Sequence, residues 1–365
     1  MKVSLKRENL ARGLAIVGRM VKTRATLPVL GNIMLATDKG RLKLVATDLE
    51  ASISTWIGAK IDEEGATTLP ARILIDYVLS ATDETISLSG EGADVVAKSS
   101  RYTVTIKGVS AEEFPIIPSV KGATPLTIPA SKLKAAILAT VGAAALDETR
   151  PILAGVLLRI KKGAMKVVAT DSYRLCEWTI ALDNKSHALE LVVPARTVNE
   201  LSRLLPTDET PVVITVGENQ AEFRFGEIDF LTRQIEGAFP DYEQIIPANF
   251  VYQFDCEREE LSEVLKTVNV FARDAGGNIK ITAETGRVEV IAATTQTGAA
   301  RAELRVSSRG EPMSVSFNAK YILDALAVIG GETVSVGFAG ALNPALISAP
   351  SSPELKYIVM PLRGE

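Results

Sequence analysis

The first 24 residues concentrate side chains that can bind phosphate. They hold seven cations and one acid, Glu8, so this segment carries a net charge of +6. Since the whole chain carries −4, the other 341 of its 365 residues carry −10. Clustered lysines and arginines neutralise phosphate groups without reading a base sequence. The seven cations are Lys2, Lys6, Arg7, Arg12, Arg19, Lys22 and Arg24.

A helix must position these cations. Four apolar residues recur at helical spacing and predict one packed stripe. Arg12 and Arg19 fall on the opposite side of the helical wheel. Two interpretations stay open, namely contact with phosphates or the ordinary solvated face of an amphipathic helix. The stripe consists of Leu10, Leu14, Val17 and Val21.

Motifs for metal, nucleotide and nucleophilic chemistry are absent from the sequence. There is no GxxxxGK[ST] loop and no GxGxxG after a strand. The single histidine, His187, excludes an HExxH zinc site, and Cys176 and Cys256 lie too far apart for a CxxC cluster. A Ser-His-Asp triad would need His187, whose polar neighbours fit a solvated loop. We therefore expect no metal, no cofactor and no enzymatic activity.

Composition indicates a globular protein of two or three domains, with 47% hydrophobic and 23% charged residues. A pI near 5.5 argues against a protein that coats nucleic acid through overall basicity. The sequence contains no run of roughly 18 apolar residues, so we expect no membrane-spanning helix. The charged N-terminus does not fit a signal peptide. Two cysteines fit a reducing cytosol, so we expect a cytoplasmic, nucleoid-associated protein.

Short motifs recur three times along the chain. VATD occupies residues 45–48 and returns at 168–171, and a degraded copy, AATT, runs over 292–295. Asp48 and Asp171 therefore end equivalent predicted strands. Because an active site need not recur in each domain, this repetition favours a structural turn over catalysis.

Two further markers fix the period of the repeat. LPAR ends at Arg72, VPAR at Arg196 and FNAK at Lys320, a spacing of 124 residues both times. EFPIIP at 113–118 returns as AFPDYEQIIP at 238–247. Units of about 120 residues are too long for solenoid repeats and have the size of domains.

Each repeat is predicted to contain two helices and sets of short strands. The first helix of the second repeat has the weakest stripe, because Thr140 follows Leu133 and Ile137. Consecutive strands joined by short turns favour antiparallel sheets. The predicted fold class is α+β, with three similar domains of two helices packed on antiparallel sheets. Their expected boundaries are 1–120, 121–248 and 249–365.

Six motifs, spread in order along essentially the whole chain, match one known family. They are TLPVLGN (26–32), ATDLE (46–50), ATTLPAR (66–72), ATDSYRL (169–175), FPDYEQIIP (239–247) and YIVMPLR (357–363). Together they resemble the bacterial DNA sliding clamp, the beta subunit of the DNA polymerase III holoenzyme. Any one motif alone would be weak.

The resemblance implies a fold and a function. Such clamps are head-to-tail homodimers, so each three-domain chain forms half of a closed ring with helices lining the hole. Duplex DNA passes through without sequence readout. The replicative polymerase, clamp loader and repair proteins bind through short linear motifs. An acidic exterior would discourage adhesion of DNA outside the ring.

The expected DNA contacts come from three sources. The resemblance implies Arg24 and Arg150 in loops, and the repeated marker adds Arg72 and Arg196 on the pore side. Pro151 and Ile152 stand where some relatives have aromatic residues, so ring stacking on DNA is not expected there. With the first helix, the set is Arg12, Arg19, Lys22, Arg24, Arg72, Arg150 and Arg196.

The resemblance also implies an apolar partner groove between the second and third domains. For Leu175 and Ile245, plain core packing remains an open alternative. The matching positions are Leu153, Thr170, Ser172, Tyr173, Arg174, Leu175, Pro240, Ile245, Tyr321, Ile358, Met360, Pro361, Leu362 and Arg363.

Two other function classes compete with the clamp. An enzyme built from three duplicated domains would need a nucleophile or a metal cluster that the sequence lacks. An adaptor that binds proteins without encircling DNA would fit the groove, but it would leave the basic first helix without a role.

Overall fold

The computed structural model describes residues 1–22, 27–120, 125–147, 149–182, 188–273, 276–294 and 298–362. Three residues named above, Arg24, His187 and Arg363, lie outside these ranges. In the described part of the chain, no helix is long and apolar enough to cross a membrane.

The described residues form helices and strands in an order that repeats three times. The helices are α1 (Arg7–Val17), α2 (Ala71–Ser80), α3 (Ala130–Thr140), α4 (Ala195–Leu204), α5 (Arg258–Ala272) and α6 (Ala319–Val328). The first repeat contains β1 (Lys2–Lys6), β2 (Asn32–Asp38), β3 (Arg41–Thr47), β4 (Ala51–Gly58), β5 (Lys60–Glu63), β6 (Ala66–Pro70), β7 (Thr85–Glu91), β8 (Asp94–Lys98) and β9 (Thr103–Ile106). The second contains β10 (Leu126–Pro129), β11 (Gly155–Lys161), β12 (Ala164–Thr170), β13 (Arg174–Ala181), β14 (Leu189–Pro194), β15 (Pro211–Val216), β16 (Gln220–Phe225) and β17 (Ile228–Arg233). The third contains β18 (Tyr252–Glu257), β19 (Asn278–Glu284), β20 (Arg287–Thr294), β21 (Gly298–Arg305), β22 (Ser307–Gly310), β23 (Met313–Asn318), β24 (Thr333–Phe338), β25 (Ala345–Ser348) and β26 (Leu355–Val359).

The apolar stripe of α1 explains why this segment is helical. Leu10, Leu14 and Val17 are buried, as the spacing predicts. The helix ends earlier than expected, because a 3₁₀ turn follows at Gly18–Met20. Val21, predicted as the fourth member of the stripe, therefore lies beyond the helix and is only partly buried.

Gly13 inside α1 has a packing reason. A Cβ atom at this position would come within 2.7 Å of the Leu44 side chain and 3.1 Å of Ile57. Glycine costs a helix about 1 kcal/mol relative to alanine. Here it lets the helix lie directly on β3 and β4.

Thr140 shows how a polar residue can occupy the apolar stripe of α3. The residue is fully buried, and its hydroxyl donates to the carbonyl oxygens of Ala136 at 2.8 Å and Ile137 at 3.3 Å. These bonds remove the cost of an unpaired buried hydroxyl. Leu133 and Ile137 are fully buried beside it.

The chain divides into two compact units. Unit 1 comprises Met1–Ser131 and Glu200–Gln234, and unit 2 comprises Lys132–Asn199 and Ile235–Glu365. Unit 1 holds a five-stranded sheet in the order β5-β1-β7-β8-β9 and an eight-stranded sheet in the order β10-β15-β16-β17-β4-β3-β2-β6. Helix α1 packs against α2 and onto β3 and β4.

Unit 2 is built in the same way. Its sheets have the orders β14-β11-β12-β13-β26-β25-β24-β18-β22 and β21-β20-β19-β23. Helix α5 packs against α6 and onto β20 and β21. All pairs in the four sheets are antiparallel, which confirms the prediction from the short turns.

Each unit contains one join between strands of consecutive repeats. In unit 1, β17 of the second repeat pairs with β4 of the first, with Thr232 opposite Ala51. In unit 2, β26 of the third repeat pairs with β13 of the second, with Val359 opposite Arg174. The predicted partner groove lies beside the second of these joins.

Candidate functional site

The turn between β12 and β13 is held by side chains of the repeated VATD motif. Asp171 Oδ1 accepts from the backbone N–H groups of Tyr173 at 2.9 Å and Arg174 at 3.0 Å. Thr170 Oγ1 donates to the Arg174 carbonyl at 2.6 Å and accepts from Ser172 N–H at 3.1 Å. Ser172 has φ of +79°, in the left-handed region. The prediction that Asp171 serves a turn is confirmed.

Arg174 is a buried cation that is neutralised within the protein. Only 6% of the residue is exposed. Its guanidinium donates hydrogen bonds to Asp171 Oδ2 at 3.0 Å and to Asp324 Oδ2. Burial alone would lower its pKa, but Tyr357, Asp324 and Asp171 together raise the pKa above its usual value. The guanidinium lies 4.8 Å from the Tyr321 ring centroid, so it supports that ring as a cation–π platform.

Two tyrosines, of which Tyr173 is exposed and Tyr321 partly buried, lie side by side in this site. The rings of Tyr173 and Tyr321 stack with centroids 6.5 Å apart and planes 18° from parallel. Tyr173 is 55% exposed. Beyond β26 the chain runs past this pair, since Met360 N–H donates to the Tyr173 carbonyl at 2.8 Å and Leu362 N–H to that of Ser316 at 2.8 Å. Met360, Pro361 and Leu362 are each partly buried.

An apolar core supports the site from inside. Leu175 and Ile358 are fully buried and lie opposite each other on β13 and β26. For Leu175 the structure therefore favours the core-packing alternative, whereas Ile245 remains 36% exposed. Leu153 is buried and Pro240 exposed. The cluster comprises Leu157, Val168, Leu175, Val192, Phe239, Tyr242 and Ile358.

Several supporting residues were not found from the sequence. Asp324 pairs with Arg174 from α6, and Ile152, Ile246 and Leu346 pack against the buried cluster. Asp324 could not be found by motif, because its partner lies 150 residues away in the chain. The IIP motif, by contrast, could have indicated Ile246 from its copy in the first repeat.

Arg150, expected at DNA, lies against the turn of the groove. Its Nη1 donates to Ser172 Oγ at 2.8 Å, and its Nη2 lies 3.5 Å from the Asp171 carbonyl oxygen. Arg150 is exposed. The structure thus places Arg150 against Ser172, a residue of the predicted groove.

The other cations of the first repeat are partly engaged. Arg12 is exposed on α1, whereas Arg19 lies on the following 3₁₀ turn, 3.7 Å from Glu200. Lys22 Nζ lies 2.9 Å from Asp48 Oδ2. The Arg19–Glu200 pair is partly exposed, and pairs at the surface contribute about 0–1 kcal/mol. The Lys22–Asp48 pair is more buried, since the Asp48 side chain is only 10% exposed.

Arg72 and Arg196 occupy the same place in their repeats. Each is the second residue of its helix, α2 or α4, and each is exposed. The Arg72 side chain is 92% exposed and lies 3.9 Å from Asp76, one helical turn away. Both side chains can reach a ligand outside the domain surface.

The cysteines are buried thiols. Cys176 and Cys256 are free, and burial raises the pKa of Cys256 to about 12. A thiol with so high a pKa is a poor nucleophile. Across the described residues, no group of three or more His, Cys, Asp or Glu side chains could hold a metal ion.

Three family models match the chain in order. They describe the N-terminal domain of the DNA polymerase III beta subunit over residues 1–118, its central domain over 127–241 and its C-terminal domain over 243–363. The chain belongs to the beta sliding clamp family.

Whole-chain similarities agree with this family assignment. The beta sliding clamp of Pseudomonas aeruginosa is 30% identical over 367 residues and that of Synechocystis sp. is 28% identical over 390. The two matches cover 100% of this chain and 100% and 99% of those clamps, respectively.

Solved structures share the clamp fold. The crystal structure of the DNA polymerase III subunit beta from Pseudomonas aeruginosa matches with a TM-score of 0.97 at 29% identity. The DNA polymerase sliding clamp from Bacillus subtilis matches with a TM-score of 0.96 at 26% identity. Both matches cover 100% of each chain. The predicted three-domain α+β clamp fold is therefore confirmed.

Proposed function

We propose that this protein is the processivity factor of a replicative DNA polymerase. Two copies close head-to-tail into a ring around duplex DNA, without sequence readout, and partners bind the groove beside β13 and β26. It acts by binding alone, with no catalytic residue. Membership of the clamp family carries this proposal. The domains are assigned to residues 1–120, 121–248 and 249–365.

The strand order supports a head-to-tail dimer. Strands β4, β13 and β21 hold equivalent positions in their repeats, as do β9, β17 and β26. Within one chain β17 pairs with β4 and β26 pairs with β13. Among the described residues, strands β9 and β21 lie at sheet edges, where one row of backbone groups stays unpaired within the chain. Pairing β21 with the partner's β9 would use both edges in every copy.

The two joins predict the register of this third pairing. Thr232 lies opposite Ala51 and Val359 opposite Arg174, in each case three residues beyond the aspartate position of the VATD motif. In the third repeat Thr295 stands at the aspartate position of the motif, so the residue three positions later is Gly298.

The position on β9 follows from two bridges. Val109 bridges Thr68 and Leu362 bridges Ser316, which are equivalent because each lies four residues before the end of its LPAR-type marker. Ile106 therefore corresponds to Val359 and should face the partner's position 298. In this register Val104 faces position 300.

Charge fits the same register. If this register continues to residue 101, Arg101 lies opposite Glu303 of the partner. Both residues are exposed within their own chain. Opposite charges on facing strands stabilise a pair by roughly 0.2–1 kcal/mol.

An engineered disulfide tests the ring. Directly opposed Cα atoms lie about 4.5–5.5 Å apart, which a disulfide can span. The double variant Val104→Cys, Ala300→Cys should give a covalent dimer on oxidation, seen on a non-reducing gel. The control Val104→Cys, Ala302→Cys is shifted by two residues, to about 7–8 Å, and should remain monomeric on the gel. Equal cross-linking of both variants would reject the register.

The arginines of the LPAR-type markers suit weak contact with a duplex. Arg72 and Arg196 are exposed and stand at equivalent helix starts. Long flexible cations bind phosphates without base recognition, and salt screens them. Arg12, Arg19, Lys22, Arg24 and Arg150 complete the proposed set.

Topology distinguishes a sliding ring from an ordinary DNA-binding protein. The protein is loaded by its clamp loader onto nicked circular DNA, and half of the sample is then linearised. A ring should stay on circles and be lost from free ends, as measured by gel filtration of labelled protein. Equal retention on both forms would reject encirclement.

The groove is proposed to bind linear motifs of the polymerase, the clamp loader and repair proteins. The exposed Tyr173 ring, the partly buried Tyr321 ring stacked on it and the flexible Met360 offer an adaptable apolar surface. Ending the chain after Val359 should abolish stimulation of the polymerase but preserve the disulfide-linked dimer. If the dimer is lost as well, the segment 360–362 has a structural role instead.

A further inference from the structure

Unit 1 contains a cavity outside the proposed partner groove. Its volume is about 170 Å³, and it lies where β3 passes into β4, beside the end of β17 and residues 115–118. It is lined by both apolar and charged side chains, among them Leu49, Glu50, Ile116 and Arg233.

The turn at this cavity copies the turn of the partner groove. Asp48 Oδ1 accepts from the N–H groups of Glu50 at 3.1 Å and Ala51 at 2.9 Å. Thr47 Oγ1 donates to the Ala51 carbonyl at 2.8 Å and accepts from Leu49 N–H at 3.1 Å. Leu49 has φ of +76°, matching the left-handed residue between β12 and β13.

The surroundings of the two turns also correspond. Arg233 N–H donates to the Glu50 carbonyl at 2.8 Å, as Met360 N–H does to Tyr173 at the same distance. A smaller buried cluster lies beneath, at positions equivalent to part of the cluster in unit 2. It comprises Val29, Val45 and Phe114, with Met34 and Ile117 packed against it.

Three substitutions give the cavity its own chemistry. Glu50 stands where the groove has an exposed tyrosine, Ala51 where it has the buried arginine, and Arg233 where it has the methionine. Ala51, whose side chain is shorter than the arginine at the equivalent position, is one of the residues that line the cavity. Leu49 and Ile116 are 44% and 93% exposed, so their side chains can receive an apolar ligand.

Charge indicates which ligand would fit. Among the described residues, the Glu50 carboxylate takes part in no ion pair. Glu112 and Glu113 are also exposed, on the 3₁₀ turn that leads to Pro115. Asp48 of the same turn is paired with Lys22, so four acids stand against two cations, Lys22 and Arg233. The mouth of the cavity is therefore acidic overall and favours a basic ligand.

We propose that this cavity is a second peptide-binding site of the protein. It takes an extended peptide in which a bulky aliphatic side chain lies next to a lysine or an arginine. The aliphatic group contacts Leu49 and Ile116, and the cation pairs with Glu50. The partner is thus a protein with a basic-hydrophobic linear motif, and it can bind while the groove beside β13 and β26 is occupied.

Binding of two defined peptides to the full-length protein tests the proposal. The probe is a fluorescein-labelled hexapeptide, Gly-Arg-Leu-Leu-Lys-Gly, and its charge-reversed partner is Gly-Glu-Leu-Leu-Asp-Gly. Fluorescence anisotropy should show the basic peptide binding at least 10-fold more tightly. Absence of binding at millimolar peptide, or equal binding of both, would overturn the proposal.

Matched variants locate the site. Ile116→Asp and Glu50→Lys alter exposed side chains and should each weaken the basic peptide at least 10-fold. Ile245→Asp changes the equivalent residue of the other groove and should leave this binding unchanged. The reverse pattern would assign the peptide to the groove of unit 2 and overturn the second site.

Hydrogen exchange gives a readout that does not depend on any variant. Saturating basic peptide should slow exchange in residues 47–52 and 113–118. Slowed exchange in 170–175 and 240–247 instead would contradict the proposal. Retention on circular DNA, measured for Ile116→Asp, should equal that of the wild type, so failure of the second site is distinguishable from failure of the clamp function.

Discussion

The turn between β12 and β13 and the turn between β3 and β4 share a backbone but differ in their side chains. Both use a threonine hydroxyl and an aspartate carboxylate to bond the same backbone groups. Unit 2 adds a buried arginine and two stacked tyrosines, whereas unit 1 has Ala51 and Glu50. The motif thus specifies the turn, and in the two proposed sites the residues directly after it differ in charge and size.

The difference also shows what the buried charge is for. Unit 1 forms the same turn with Ala51, so Arg174 is not required for the fold of the turn. Burying a guanidinium costs desolvation energy that ion pairs only partly offset. We infer that Arg174 is kept because it positions the Tyr321 ring.

The largest difference in the free energy of unfolding is expected at the residues that follow Arg174 on β13 and Ala51 on β4. Leu175 is fully buried, and Leu175→Ala should lower the free energy of unfolding by about 3 kcal/mol through lost burial and a cavity. Ser52, the equivalent residue, is 3% exposed, and Ser52→Ala should change it by less than about 1 kcal/mol. Urea unfolding of both variants measures this. Equal losses would mean that the two cores are equally dependent on this position.

Removing the buried arginine should have the next largest effect. Arg174→Ala leaves the carboxylates of Asp171 and Asp324 without their cation. We expect the free energy of unfolding to fall by about 2 kcal/mol. This is less than for a fully buried ion pair, because the Asp324 side chain is 39% exposed. The control Arg203→Ala removes an exposed pair with Glu200 and should cost less than about 1 kcal/mol. Thermal unfolding compares them. Equal effects would show that Arg174 contributes no more than a surface charge.

Much of the fold could be predicted because its signals are local or periodic. Helical spacing of Leu10 and Leu14, and a recurring aspartate at Asp48 and Asp171, depend only on nearby residues. The early end of α1 before Val21 was missed, because the stripe continues past a glycine that begins a tighter turn.

The site was harder to predict than the fold. The resemblance predicts which residues form the groove, but it could not separate the buried Leu175 and Ile358 from exposed residues such as Tyr173. That distinction depends on the β13–β26 pairing, which joins residues far apart in the chain. The bond from Arg150 to Ser172 is likewise a tertiary contact that no local pattern encodes.

Ligand binding should separate the two sites more finely than stability does. Tyr321→Ala removes one ring of the stacked pair, and we expect about 10-fold weaker binding of the polymerase to the groove. Tyr321→Phe keeps the ring and should behave like the wild type, as should Glu50→Ala in unit 1. The protein concentration that gives half-maximal processive synthesis is the measurement. A loss with Tyr321→Phe would mean that the hydroxyl, not the stack, matters.

The smallest expected effect concerns Glu243, in a segment (241–244) that the second repeat carries and the first lacks. The hydrogen bond from Lys166 at 3.1 Å, with its positive charge, lowers the pKa of Glu243 below its usual value of 4.5. A lowered carboxylate pKa in the folded state gives stability that is present above the unfolded pKa and lost as pH falls through the folded one.

Glu243→Gln should therefore be slightly less stable than the wild type at pH 6–8, and the gap should close below about pH 4.5. Since the Glu243 side chain is 41% exposed, screening limits the gap to less than about 0.5 kcal/mol. Urea unfolding over a pH series measures it. In a Lys166→Met background the gap should shrink without vanishing, because Lys161 and Arg159 also lower the pKa of Glu243, though less than Lys166 does; an undiminished gap there would assign the shift to another partner.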